Sequence, residues 1–143
     1  MPASLKTQEP IAVANFVINL ANRNKMLVTN LQLQKILFFL QGYTLSKYQV
    51  GIIKGSFLKW QYGPVQKNVY RTFIDTGASP ITNEYSDAYF DELGQFKTQT
   101  PKMKNIDELY PSCTNFRYYA TCLNSANQEI RTRNWSPIIW SNG

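Results

Sequence analysis

The chain has 143 residues, the length of one ordinary domain, and 43% of them are hydrophobic, which is enough to form a core. Its net charge is +6 and it contains no histidine, so the commonest general base and metal ligand is absent. No apolar run approaches the roughly 18 residues that a membrane span needs. Residues 1–10 also lack the features of a secretory signal. We therefore expect a cytoplasmic protein with no membrane contact.

Cys113 and Cys122 fit either two reduced, packed thiols or a single disulfide.

Charge is distributed unevenly along the chain. Residues 10–74 contain no acidic residue and carry eight lysines and arginines. Residues 75–110 hold seven acidic side chains against three lysines. Such asymmetry favours an acidic partner, either protein or nucleic acid. It is equally compatible with a fold in which the two halves neutralise each other.

Two helices are predicted in the N-terminal part. Pro10 suits the first turn of a helix, and apolar residues recur behind it at helical spacing to about Asn24. Thr29 followed three residues later by Gln32 is a capping-box pattern that begins a second helix. One face of this helix is apolar, and Phe38 and Phe39 widen that surface, so the helix is expected to be central. The residues of that face are Leu33, Ile36, Leu37, Leu40 and Tyr43.

Helical periodicity ends after Tyr48. The alternating residues between Ile52 and Tyr62 predict a short hairpin, which Gly63–Pro64 ends before a third helix capped by Gly77. Farther along, residues 87–93 fit either a short helix or a strand pair. Residues 106–110 and 116–130 fit further helical segments.

Three segments in this order resemble one known family. They are Ala-Asn-Phe at 14–16, Leu-Gln-Leu-Gln-Lys-Ile-Leu-Phe-Phe-Leu-Gln-Gly-Tyr at 31–43, and Lys-Trp-Gln-Tyr-Gly-Pro-Val at 59–65 with Val-Tyr at 69–70. The family is the SocA-like, phage-associated family, whose domain is also called Panacea. The resemblance runs over residues 11–77 and stops near Gly77, and residues 134–137 match the family's C-terminal pattern only loosely.

This resemblance implies a mainly α fold with a small antiparallel β element, that is, an α+β fold formed by a single compact helical domain over residues 1–143. Residues 11–77 would be the family-like helix-helix-hairpin-helix part, and residues 78–143 a diverged C-terminal part. Family members are encoded on phages and mobile elements and look like antitoxins that bind a toxin, some of them as adaptors that deliver it to a protease. The resemblance implies no cofactor and no catalytic residue.

Four residues near the family motifs are candidate contacts with a partner. Gln34 and Lys35 could face a partner, or they could satisfy backbone groups of a neighbouring element. Trp60 and Tyr62 lie at alternate strand positions and therefore point to one face. They could be core aromatics or an exposed pair of the kind that anchors protein interfaces.

Charged side chains supply the remaining candidates. Lys67 and Arg71 are four residues apart on the third helix and share a face, which is either a solvated basic face or a docking site for an acidic surface. Asp87, Asp91 and Glu92 could bind a divalent cation, but no nuclease-type spacing or Gly-rich phosphate loop accompanies them. We therefore predict no enzymatic activity.

Two functions follow from these observations. The first is an antitoxin-type protein that binds and neutralises a protein partner, either a cognate toxin or a host protein, through its basic N-terminal half. The second is a nucleic-acid-binding phage regulator that uses the same basic stretch, since phosphate neutralisation dominates such binding. No segment resembles a helix-turn-helix with base-reading side chains, so the first function is preferred.

Overall fold

A computed structural model of the chain describes residues 7–61 and 63–104. In this part, the helices are α1 (Pro10–Arg23), α2 (Asn30–Tyr48), α3 (Lys67–Thr72) and a 3-10 helix (Ile74–Thr76). The strands form three antiparallel pairs: β1 (Val28–Thr29) with β4 (Pro80–Ile81), β2 (Leu58–Trp60) with β3 (Gly63–Val65), and β5 (Asp87–Phe90) with β6 (Phe96–Gln99). Helices accompanied by small antiparallel sheets confirm the α+β class.

The two long helices begin where local sequence predicts. Pro10 occupies the first turn of α1, where its missing N–H leaves no hydrogen bond unmade. At the start of α2 the Thr29 hydroxyl accepts the Gln32 N–H at 3.2 Å, and the Gln32 side chain accepts the Thr29 N–H at 3.0 Å. The predicted capping box is therefore confirmed. Gln49 ends α2 in the left-handed conformation, with φ of 61°.

Helix α2 is the centre of the core, as its apolar circumference predicts. The predicted face is buried except for Tyr43, which is half-buried, and Phe38 packs edge-on against Phe57 with ring centroids 5.7 Å apart. Apolar residues of α1 and Val69 and Phe73 from the α3 segment complete the same cluster. The core thus lies between α1 and α2 and is closed by the α3 segment.

The predicted bounds of the hairpin are wrong. Its second strand is β3, in which Gly63 pairs with Trp60 and Pro64 with Lys59. A sheet of two strands tolerates Pro64, because the missing N–H can face away from the partner strand. Gly63 supplies a φ of 112°, which side-chain-bearing residues rarely adopt. Ile53 belongs to no hairpin and forms a single parallel bridge with Gln8.

The third helix is shorter than predicted. It begins at Lys67, after Gln66, whose side chain accepts the Val69 N–H at 3.2 Å. It ends at Thr72, so Gly77, with φ of 56°, follows the 3-10 helix instead of capping α3. Of the two structures considered for residues 87–93, the strand pair is found. The predictions for Cys113 and Cys122 and for residues 106–110, 116–130 and 134–137 lie outside the described residues.

Amide side chains at and before α1 hold a distant segment of the chain. Buried Asn15 donates to the carbonyls of Tyr85 at 2.9 Å and Pro101 at 3.2 Å and accepts the Tyr85 N–H at 2.8 Å. Gln8 forms two hydrogen bonds with the backbone of Lys104, at 3.0 and 2.8 Å. Farther along α1, the Asn19 amide donates to the Glu84 carboxylate at 2.6 Å, and the Asn22 amide donates to the Thr82 carbonyl at 2.8 Å. These contacts fix residues 82–104 to α1 and to Gln8 just before it.

We expect Asn15→Ala to lower the free energy of unfolding by about 2–3 kcal/mol, because three hydrogen bonds are lost at a buried side chain and backbone groups lose their partners. Asn19→Ala, which removes one exposed contact from the same helix, is the matched control and should cost less than about 1 kcal/mol. Urea unfolding followed by circular dichroism measures both. Equal losses would contradict the role assigned to Asn15.

Candidate functional site

A cleft of about 580 Å³ opens between the start of α2, the β2–β3 hairpin and the 3-10 helix. Its volume lies in the range of roughly 300–1,000 Å³ that is typical of binding sites. Three large apolar side chains on its lining are well exposed: Leu31 at 40%, Trp60 at 40% and Ile74 at 50%. The remaining lining residues are Asn30, Gln34, Lys35, Gln61, Gly63, Val65, Tyr70, Gly77 and Ala78.

Buried amides build the floor of the cleft. The Gln34 side chain accepts the Gln66 N–H at 2.8 Å and donates to Asn30 Oδ1 at 3.0 Å. Asn30 in turn donates to the Tyr70 carbonyl at 3.1 Å. These bonds tie α2 to the segment that enters α3. Gln34 thus satisfies the backbone of a neighbouring element, which is one of the two roles considered for it.

Lys35 places a buried amine in the same floor. Its side chain is fully buried, and Nζ donates to the Pro64 carbonyl at 3.1 Å. Burial lowers the pKa of the Lys35 ammonium group to about 8, because the charged form loses its hydration. The contact holds β3 against α2, so Lys35 also has a structural role. Lys35 also lies on the cleft lining, and its contact with a partner stays a prediction.

Aromatic residues form one wall of the cleft. Trp60 packs edge-on against Tyr70, with ring centroids 5.1 Å apart. This contact orients the Trp60 ring while leaving 40% of the residue exposed, so Trp60 fits the exposed alternative and does not belong to the core. Tyr62, its predicted companion, lies outside the described residues.

The basic candidates lie beside the cleft and not on its lining. Lys67 and Arg71 are both exposed on α3, the helix that contributes Tyr70 to the wall. Among the described residues, an ion pair joins Lys54 to Glu9 at 3.5 Å on the surface. In this part of the chain, no ion pair links residues 10–74 to residues 75–104. Mutual neutralisation of the two halves by direct pairing is therefore not found there.

Sequence reasoning missed nine of the twelve lining residues, and four of these nine shape the site. Leu31 and Ile74 supply exposed apolar surface, while Asn30 and Tyr70 join the floor and the wall. Helical spacing could have found part of this set, since Leu31 lies three and four positions before Gln34 and Lys35. Nothing local brings Ile74 near them, because α2 and the 3-10 helix meet only through the tertiary fold.

Two of the three acidic residues considered as metal ligands, Asp87 and Asp91, have other roles. The Asp87 carboxylate accepts the Tyr85 hydroxyl at 2.6 Å, and Asp91 accepts two backbone N–H groups of its own turn. Within residues 7–61 and 63–104, no three acidic, histidine or cysteine side chains are grouped as a metal site requires. In the same residues, no helix has both the length and the apolarity needed to cross a bilayer.

Comparison with known proteins gives a consistent result. A family model described as antitoxin SocA-like, Panacea domain, matches residues 33–136, more than half of the chain. The match continues well beyond Gly77, so the expectation that the resemblance stops there is wrong. Antitoxin SocA of Caulobacter vibrioides (strain NA1000 / CB15N) is 38% identical over 72 residues, which are 50% of this chain and 38% of that relative. The chain thus covers well under two thirds of the relative's length. No solved structure matches the chain.

The buried amine makes stability depend on pH. The pKa of Lys35 is about 8 in the fold and 10.5 as its ordinary value, so the unfolded chain binds the extra proton between these values. The stability that the fold gains from a neutral Lys35 amine is therefore complete above pH 10.5, where the amine is neutral in both states, and it is lost as the pH falls through 8. Between neutral and strongly alkaline pH, we expect the free energy of unfolding of the wild type to rise by up to about 3 kcal/mol relative to that of Lys35→Met.

Urea unfolding at both ends of this pH range measures the gain. Lys54→Met removes an exposed lysine and is the matched control, which should keep the full pH-dependent gain. A Lys35→Met variant whose stability follows the wild-type pH dependence would contradict the assignment.

Proposed function

Since the chain belongs to the antitoxin SocA-like, Panacea domain family, we propose that it is a non-enzymatic antitoxin-type protein that binds and neutralises a protein partner. The partner in this proposal is a toxin encoded with it on a phage or mobile element, and both act in the cytoplasm. The family match is the observation that carries the proposal. Neutralisation by occlusion needs a binding surface and no catalytic group.

The cleft is the surface that we assign to the partner. Leu31, Trp60 and Ile74 expose apolar area around a concave site, and such anchors supply most of the binding energy in protein interfaces. The hydrogen bonds of Gln34 and Asn30 hold the floor, so little order has to be gained on binding. A rigid apolar cleft therefore supports recognition of one or two large apolar side chains of the partner.

Electrostatics indicates the character of the partner's surface. Lys67 and Arg71 stand exposed on α3 beside the cleft, within a stretch of chain that has no acidic residue. Charges at the rim of an interface speed association with a surface of opposite charge. The partner in this proposal accordingly presents an apolar side chain flanked by acidic ones.

The same basic stretch motivates the second candidate, a nucleic-acid-binding regulator. Binding of that kind weakens steeply with salt, since each neutralised phosphate releases counterions. The exposed apolar residues of the cleft favour the protein partner. A gel shift at low salt separates the two functions, because we expect no sequence-independent binding of DNA or RNA by this chain.

The partner is first captured from the native host with the tagged full chain and identified by mass spectrometry. A specific protein, most informatively the product of an adjacent gene, is the expected result. Co-expression of the chain should then restore growth to cells that express this protein. Delivery to a protease is a separate step, and it is tested by whether co-expression shortens the half-life of the partner.

We expect Leu31→Ser and Trp60→Ala each to weaken binding of the captured partner by about 30-fold, the effect of losing about 2 kcal/mol at an interface anchor. Leu45→Ser is the matched control, because Leu45 is exposed to a similar extent on the same helix (38% against 40%) but does not line the cleft. Isothermal titration calorimetry measures all three. Equal effects of Leu31→Ser and Leu45→Ser would place the partner elsewhere.

A further inference from the structure

The β5–β6 hairpin presents an apolar face to solvent. Phe90 and Phe96 are directly paired across the strands and pack edge-on, with ring centroids 5.9 Å apart. Because side chains alternate along a strand, Ala88 lies on the same face and Tyr89 on the opposite one. Phe90 is nevertheless 71% exposed and Phe96 62% exposed. An antiparallel sheet usually packs its apolar face on a core, whereas Phe90 and Phe96 do not belong to the core that residues 7–61 and 63–104 form.

The tip of the hairpin is an ordered turn. Asp91 Oδ1 accepts the N–H groups of Leu93 at 2.9 Å and Gln95 at 2.8 Å, and the Asp91 N–H donates to the Gln95 carbonyl at 2.9 Å. Gly94 follows with φ of 77°, which glycine adopts freely. This turn projects Leu93 outward with 83% of the residue exposed. The hairpin therefore exposes apolar side chains both on its strands and at its tip.

The base of the hairpin is fixed to the body. Asn15 bonds to Tyr85 and Pro101, just outside the two strands, and the hydroxyls of Ser86 and Thr100 lie 2.6 Å apart across the base. A two-stranded hairpin alone is marginally stable in water, so these anchors give it the rigidity that its own strands lack. A fixed hairpin with an exposed apolar end has the form of a docking arm.

The charge of the arm indicates what it contacts. Asp87, Asp91 and Glu92 stand against Lys97, so the arm is acidic in a protein whose net charge is +6. The surface it fits is apolar and basic, and this chain has one: the cleft, with exposed Lys67 and Arg71 on the adjoining helix. The exposure of Phe90 and Leu93 shows that the arm does not occupy its own cleft.

We propose that the β5–β6 hairpin is a docking arm that inserts Phe90, Leu93 and Phe96 into the cleft of a second copy of this chain. Each copy has one arm and one cleft, so reciprocal exchange closes a two-fold dimer. The cleft is the surface already assigned to the protein partner, but self-association requires no partner and is tested without one.

The test compares two double variants of the full chain by analytical ultracentrifugation across a dilution series. Phe90→Thr with Leu93→Ser changes the arm but keeps residues suited to a strand and a turn. Trp60→Ala with Ile74→Ser changes the cleft. We expect a wild-type dimer, and each double variant should raise its dissociation constant at least about tenfold. Tyr89→Ser, on the opposite face of the arm, is the matched control and should leave the dimer unchanged.

Mixing the two double variants provides a complementation test. The mixture retains one intact arm and one intact cleft, so we expect a heterodimer although each variant alone is monomeric. Circular dichroism and thermal unfolding of the separate variants show that they are folded.

A wild-type chain that stays monomeric, or a dimer that survives both double variants, would overturn the proposal. Arm variants that leave self-association unchanged and weaken binding of the captured partner would also overturn it, because the arm would then serve the partner. A dimer that both double variants disrupt, in a chain that captures no specific protein partner, would contradict the proposed function alone.

Discussion

The polar contacts buried beneath α2 are the constraint on which the rest of the structure depends. A helix that is apolar around most of its circumference can pack in several orientations, and hydrophobic contact alone does not select one. Gln34 and Lys35 select one because each must find a partner once it is buried, Gln34 at the Gln66 N–H and Lys35 at the Pro64 carbonyl. Both partners lie on the segment that runs from β3 into α3. The position of this segment, and hence the shape of the cleft, follows from two consecutive residues of one helix.

A buried polar side chain on α1 must also find hydrogen-bond partners, but the segment it holds contributes little to the core. There the amide of Asn15 binds a chain segment whose two strands pair with each other, and it satisfies backbone groups at both ends of that hairpin, at Tyr85 and Pro101. This segment contributes little to the apolar core, so hydrogen bonds from α1 take the place of burial. The hairpin between the anchored ends adds nothing to the core of the described residues, and its apolar side chains are exposed.

The uneven charge of the chain is divided between two separate parts of the fold. The acid-free residues 10–74 form the cleft and its basic surroundings, while the acidic side chains of residues 84–92 lie on or beside the arm. Opposite charges are thus carried by two separate exposed apolar surfaces. If a second copy and the proposed protein partner both use the cleft, the dimer and the complex are alternatives, and the amount of partner sets the balance between them.

The sequence by itself determined the features that depend on neighbours a few residues apart. The bounds of α1 and α2 and the Thr29–Gln32 capping box could be read because helical periodicity and caps are local interactions. The family could be recognised for the same reason, since its motifs are short patterns on these elements. Only the tertiary structure decided that Pro64 pairs within a hairpin, that Asn15 binds residues about 70 to 86 positions away and that Leu31 and Ile74 line the same cleft. These contacts join distant parts of the chain, and no local preference of either partner encodes them.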